Sequence, residues 1–147
     1  MEATMTQMIH APEPPPWPWR LRASLAMTAA LTLKLLPRDR WRTRARLALA
    51  RTASSLPAAH PGDVRQAYEA VVACQPSWWR GQIDCKERAV ATVLATALTG
   101  RRCHLVLGAR ALPAAFHAWV MTADGTAIGA EEAGGQDHPW TPVYTTP

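Results

Sequence analysis

At Gly100 the apolar pattern of the chain changes period, and this change restricts the fold more than any other feature. Before it, Asp84 stands where a helix N-cap belongs and CKERAVATVLATALTG follows. Ala89, Val93 and Ala97, with Val90 and Leu94, recur at helical spacing and predict a helix opened at Cys85 and closed by Gly100. After it, CHLVLGAR and FHAWVMT are β-branched or aromatic runs joined by a short loop around Pro113. Ala123-Asp124-Gly125 predicts a hairpin turn, and Ala127-Ile128-Gly129 the start of a return strand. Helices first, then a small antiparallel sheet packed on the Cys85 helix, is an α+β order.

The residues upstream fall into two parts. Residues 1–19 end in EPPPWPW, where Pro14, Pro15, Pro16 and Pro18 predict an extended, flexible tail. Residues 20–74 predict a basic helical region. Its first helix covers 20–36, with apolar positions at Leu21, Leu25, Leu31 and Leu35 and a stop at Pro37. An arginine-rich helix follows over 39–54, and a third runs from an Asp63 cap to about Cys74. Residues 75–147 then hold the Cys85 helix and the sheet. At 147 residues the chain is too short for two separate cores, so 20–147 is expected to be one compact unit.

Charge is divided along the same line. Nine basic residues and one acid, Asp39, lie between Arg20 and Arg51, whereas Cys103 to the end holds four acids and one base, Arg110. Such a split predicts two surfaces with different partners. Cys74, Cys85 and Cys103 are odd in number and show no paired spacing, which points to a reducing compartment and offers no C-x-x-C metal pair. The greasy stretch Leu21 to Leu36 is interrupted by Arg22 and Lys34, short of the roughly 20 apolar residues that cross a bilayer. The expectation is a cytoplasmic protein with no transmembrane segment, no metal and no cofactor.

Two residues carry candidate chemistry. Cys85 sits in the first turn of its helix, where free backbone N–H groups and the positive helix end favour the nucleophilic thiolate. His117 lies mid-strand, and a sheet packed on the Cys85 helix could bring its imidazole to the sulfur, with an acid from the next hairpin or return strand to orient it. Taken singly, each residue is equally readable as packing: a small side chain at a helix start and a half-buried strand histidine.

Trp79-Arg80-Gly81-x-x-Asp84-Cys85-x-Glu87-Arg88-Ala89, then Leu105-x-Leu107-Gly108, then Phe116-His117-Ala118-Trp119-Val120, resembles the leader peptidase (B protein) of lasso-peptide biosynthesis. These proteins are transglutaminase-like cysteine proteases distantly similar to papain, and the resemblance covers about residues 76–147. It implies a papain-like core and a cysteine endopeptidase that cuts a ribosomally made precursor at the end of its leader. Cys85 would be the nucleophile and His117 the base and then the acid. The implied partners are the precursor peptide and a small leader-recognition protein, with the lasso cyclase as a further candidate. The family places an acid on the strand after the hairpin. That position falls at Ala130 here, so Glu131 is taken as the third member, with Asp124 as the alternative. By analogy with papain-like enzymes Gln82 is a candidate oxyanion donor, while Trp79 and Trp119, with Trp78, are candidates for a substrate groove. Glu87 and Arg88 are expected on a solvated or locally paired helix face.

Two other readings stay open at this level. The arginines from Arg38 to Arg51 could bind nucleic acid or another anionic surface, although no aromatic falls in an RNA-reading strand motif. A displaced acid could also mark a non-catalytic transglutaminase-like scaffold.

Overall fold

In the computed structural model, which describes residues 13–147, the first helix begins inside the proline-rich segment: α1 spans Trp17–Thr32. Pro18 falls in its first turn, where no intrahelical N–H bond is lost and the ring already sets a helical φ. Irregular chain is confined to residues 13–16 at this end, and the rest of the expected tail, residues 1–12, lies outside the described residues. A 3₁₀ turn (Leu33–Leu35) carries α1 to Pro37, and α2 follows over Asp39–Arg51.

The inward face of α1 differs from the leucine pattern. Ala23, Ala26, Met27, Ala30 and Leu31 are buried, whereas Leu21, Leu25 and Leu35 are exposed. Small alanines let neighbouring helix backbones approach closely, and that geometry overrides the size of the leucines. Helix α3 (Pro61–Ala73) starts two residues before the expected cap. His60 is the N-cap, its Nδ1 accepting from the Gly62 N–H at 3.2 Å, and Asp63 lies inside the first turn, where its charge faces the positive helix end. Helix α4 (Cys85–Ala97) begins as predicted, after Asp84.

The sheet is antiparallel, with β1 (His104–Ala111), β2 (Ala114–Met121), β3 (Ala127–Ile128) and β4 (Thr141–Thr145) in the order β3-β2-β1-β4. Its inner face contributes Leu105, Leu107, Ala118, Val120 and Ile128 to the core that α1, α3 and α4 complete. The arrangement is α+β, with α4 lying between the other helices and the sheet. Strand β4 was not visible in the sequence, since five residues holding Pro142 show too little alternation to register.

Two details of the sheet position the site. Strand β3 pairs only with Val120 and Met121, so Ala114 to Ala118 of β2 have no strand on that side. Residues 129–140 leave the sheet and fold over its outer face, where Trp140 meets His117 and Arg110. No described helix is long and apolar enough to cross a membrane.

Candidate active site

The start of α4 is held from both sides. Asp84 and Glu87 form a reciprocal capping box, in which the Glu87 carboxylate accepts from the Asp84 N–H at 3.0 Å. Glu87 is only 1% exposed, and its other oxygen accepts from Arg46 of α2 at 2.5 Å. Lys34, in the 3₁₀ turn, stands 3.7 Å from the same carboxylate and donates to the Gln82 carbonyl at 2.6 Å. Of the two expectations at Glu87, the solvated face is corrected: the carboxylate is paired and buried. A buried carboxylate needs paired cations, and two members of the basic region turn inward to supply them. They fix the Gln82–Asp84 segment and the first turn that presents Cys85.

His117 reaches the same place from β2. Its Nε2 lies 2.8 Å from the carbonyl oxygen of Gly129. A carbonyl only accepts, so Nε2 carries a hydrogen and Nδ1 is the ring nitrogen left for Cys85, whose sulfur is near enough for each group to shift the other's pKa. The Ala118 backbone N–H, free on the unpaired side of β2, also donates to the sulfur. Burial alone would push the Cys85 thiol up. The bonds from His117 and Ala118, with the positive charges of His117 and Lys86, outweigh it and hold the thiol below its ordinary 9.0. Burial likewise opposes the charged imidazole. The bonds to Cys85 and the Gly129 carbonyl, with the charges of Cys85 and Glu132, raise His117 above its ordinary 6.5. The two shifts run in the directions that favour a thiolate–imidazolium pair.

Two indoles stack on the imidazole: Trp119 at 6.0 Å and 23° between planes, and Trp140 at 5.0 Å and 27°. Trp119 lies across β1 at Gly108, where a Cβ would come within 2.4 Å of its ring. This close approach accounts for the glycine in the Leu-x-Leu-Gly strand. Trp140 is held by an N–H bond to the Glu132 carbonyl at 3.3 Å and by the Arg110 guanidinium 4.1 Å from its centroid.

In front of the pair is an open cleft of ≈ 370 Å³, walled by Gln82, Ile83 and Asp84 on one side and by Phe116, Glu132 and Ala133 on the other. Phe116 is 82% exposed there. Of the residues predicted for the site, Cys85 and His117 meet and Gln82 lines the cleft.

The others lie elsewhere. The acceptor at His117 Nε2 is the Gly129 carbonyl, not the carboxylate of Glu131 or of Asp124. Gly129, at φ 87°, turns the chain out of the return strand before any acid is reached, so a backbone oxygen occupies the place beside the ring. Asp124 caps its own hairpin, accepting from the Thr122 hydroxyl and the Thr126 N–H, and these bonds hold its carboxyl below the ordinary value. Trp119, 4% exposed, packs behind His117 and so does not line a groove. Trp79 is half-buried against the core, with the Lys34 ammonium 5.7 Å over its ring, and is absent from the cleft wall. Trp78 is exposed on another part of the surface.

Three contributors have no counterpart in the sequence reading. Gly129 acts through its backbone, which no residue type announces. Glu132 lines the cleft and accepts from Tyr68 and, at 3.3 Å, from Arg88. Trp140 is a lone aromatic far down the chain, in no motif that marks it.

Comparison with curated proteins found no match, and comparison with solved structures found none either. The family model of the transglutaminase-like superfamily matches residues 23–145, from α1 through β4. That superfamily includes cysteine peptidases. With a cysteine opening a helix, a histidine on the adjacent strand, and a match spanning both the helices and the sheet, the chain belongs to the transglutaminase-like superfamily.

Proposed function

We propose that the protein is a cysteine endopeptidase that removes the leader from a ribosomally made lasso-peptide precursor. The observation that carries this reading is the Cys85–His117 pair, both lining one open cleft and each shifting the other's pKa, the thiol down and the imidazole up. The Cys85 thiolate attacks the scissile carbonyl carbon and forms a C–S bond while the carbonyl oxygen gains negative charge. The Cys85 backbone N–H at the positive end of α4 is the first donor for that oxyanion, and Gln82 on the cleft wall is the candidate second donor. As the C–N bond breaks, His117 gives its Nδ1 proton to the leaving amine. It then takes a proton from the water that hydrolyses the thioester, and Cys85 is restored.

The cleft is open and shallow for an enzyme that must choose one bond in one peptide. Selectivity is accordingly assigned to a leader-recognition protein that presents the precursor, with the cyclase taking the freed core. Cys85→Ala should abolish leader release from a precursor supplied with that partner, followed by mass spectrometry. His117→Ala should lower the rate by about 10⁴-fold. Undiminished cleavage by the Cys85 variant would end this reading.

The neutral acceptor at His117 Nε2 favours a second reading, a non-catalytic scaffold of the same superfamily. Iodoacetamide separates the two, because a scaffold has no cause to make Cys85 react ahead of Cys74 and Cys103.

A further inference from the structure

We propose that Trp140 is the positioning residue for His117, sharing with the Gly129 carbonyl the part that an orienting carboxylate would otherwise play. The proposal rests on the reading of Cys85 and His117 as nucleophile and base.

The Gly129 carbonyl sets the tautomer, since it requires a hydrogen on Nε2 and leaves Nδ1 for the sulfur. It carries no full charge, however, so it does less than a carboxylate to stabilise the imidazolium or to resist rotation of the ring. Trp140 supplies both. Its plane lies 27° from that of the imidazole at 5.0 Å, within the roughly 6 Å over which a cation is attracted to an indole face. Trp119 adds a second face at 6.0 Å, but that indole is wedged against Gly108 as part of the sheet's packing. Trp140 is half-buried and packs from outside the sheet, and its contacts are directed: the N–H to the Glu132 carbonyl and the Arg110 guanidinium on its ring. Gly129 and Trp140 are also the two ends of one segment, residues 129–140. A single backbone excursion therefore places the carbonyl and the indole around one imidazole.

The charges facing the ring are those of Cys85 and Lys86 on α4, the Glu132–Arg88 pair at the cleft, and Arg110 beyond Trp140. Of these, Cys85 and Glu132 favour the imidazolium. Lys86, Arg88 and Arg110 carry the sign of the imidazolium and lend it no support, so the indole face adds to what Cys85 and Glu132 supply.

The test is the pH profile of Cys85 alkylation, read by peptide mapping with iodoacetamide, in wild type, Trp140→Leu and Trp140→Phe. Trp140→Leu should move the midpoint upward, towards a free thiol, and slow alkylation near neutrality on the order of 10-fold. Trp140→Phe should restore most of the difference, which a purely structural role would not predict. For leader release, kcat should fall with little change in KM. A folded Trp140→Leu protein with the wild-type profile overturns the proposal. Should that variant not fold, proton NMR of wild type decides: nuclear Overhauser contacts between the His117 ring and the Trp140 indole support the stack, and their absence overturns it. If wild type releases no leader while the Trp140→Leu alkylation shift persists, the substrate assignment fails and the positioning role stands.

Discussion

At the scale of single residues, the chemistry of this chain depends on two opposed pKa shifts. Cys85 is shifted below 9.0 and His117 above 6.5, both in the direction that favours the ion pair, whose pH window is bounded by protonation of the thiolate and deprotonation of the imidazolium. Below that window Cys85 takes up a proton and the nucleophile is lost. Above it His117 gives one up, and the acid needed for the leaving amine is lost. Leader release should therefore follow a bell in pH, with apparent values that belong to the pair and not to either residue. Alkylation should rise only through the acid limb. The other thiols provide an internal control: burial raises Cys74, and raises Cys103 to about 12. Near neutrality the expected order is Cys85, then Cys74, then Cys103, and a fastest reaction at either of the others would contradict the pairing. Cys85 and His117 were legible in the sequence because their types and spacing carry the chemistry. The partner of His117 was not, because it is a backbone carbonyl placed by the turn at Gly129.

At the scale of elements, α4 is the part most fully predicted from sequence: its Asp84 cap, its first turn at Cys85 and its apolar period all hold. What that reading missed is the environment of the cap. Glu87 is buried against Arg46 and Lys34, so the element that presents the nucleophile depends on two residues from preceding helices. Glu87→Ala removes the acceptor of the capping box and leaves Arg46 without its counter-charge and Lys34 with Asp84 alone. We expect a loss of about 3–5 kcal/mol in urea unfolding. Arg46→Ala should cost a similar amount, and the double variant less than the sum, since both act on one network. Additive losses would show that the buried carboxylate is stabilised by other groups.

At the scale of the whole molecule, the basic helical region and the sheet share one core. Met27 and Leu31 of α1, Val64 and Val71 of α3, Val90 and Val93 of α4, and Leu105 and Val120 of the sheet are all buried together. Met27→Ala should lower stability by about 2–5 kcal/mol, although it lies in a different chain segment from Cys85 and His117. Unfolding should be one transition, with tryptophan fluorescence and far-ultraviolet circular dichroism coincident. Two separated transitions would show that the helices of residues 20–74 unfold apart from the rest.

By itself the sequence determined the α+β order, the helix that opens on Cys85, the strand that carries His117 and the split of charge between the two halves. These follow from local periodicity, capping chemistry and residue type, which short stretches of chain express on their own. Only the tertiary structure decided which α1 side chains face inward, that Lys34 and Arg46 turn to a buried glutamate, that the Gly129 carbonyl and not Glu131 or Asp124 meets the imidazole, and that Trp140 stacks on it. Those outcomes depend on how closely distant elements approach and where a backbone oxygen comes to rest, and neither leaves a mark on the local pattern of residues.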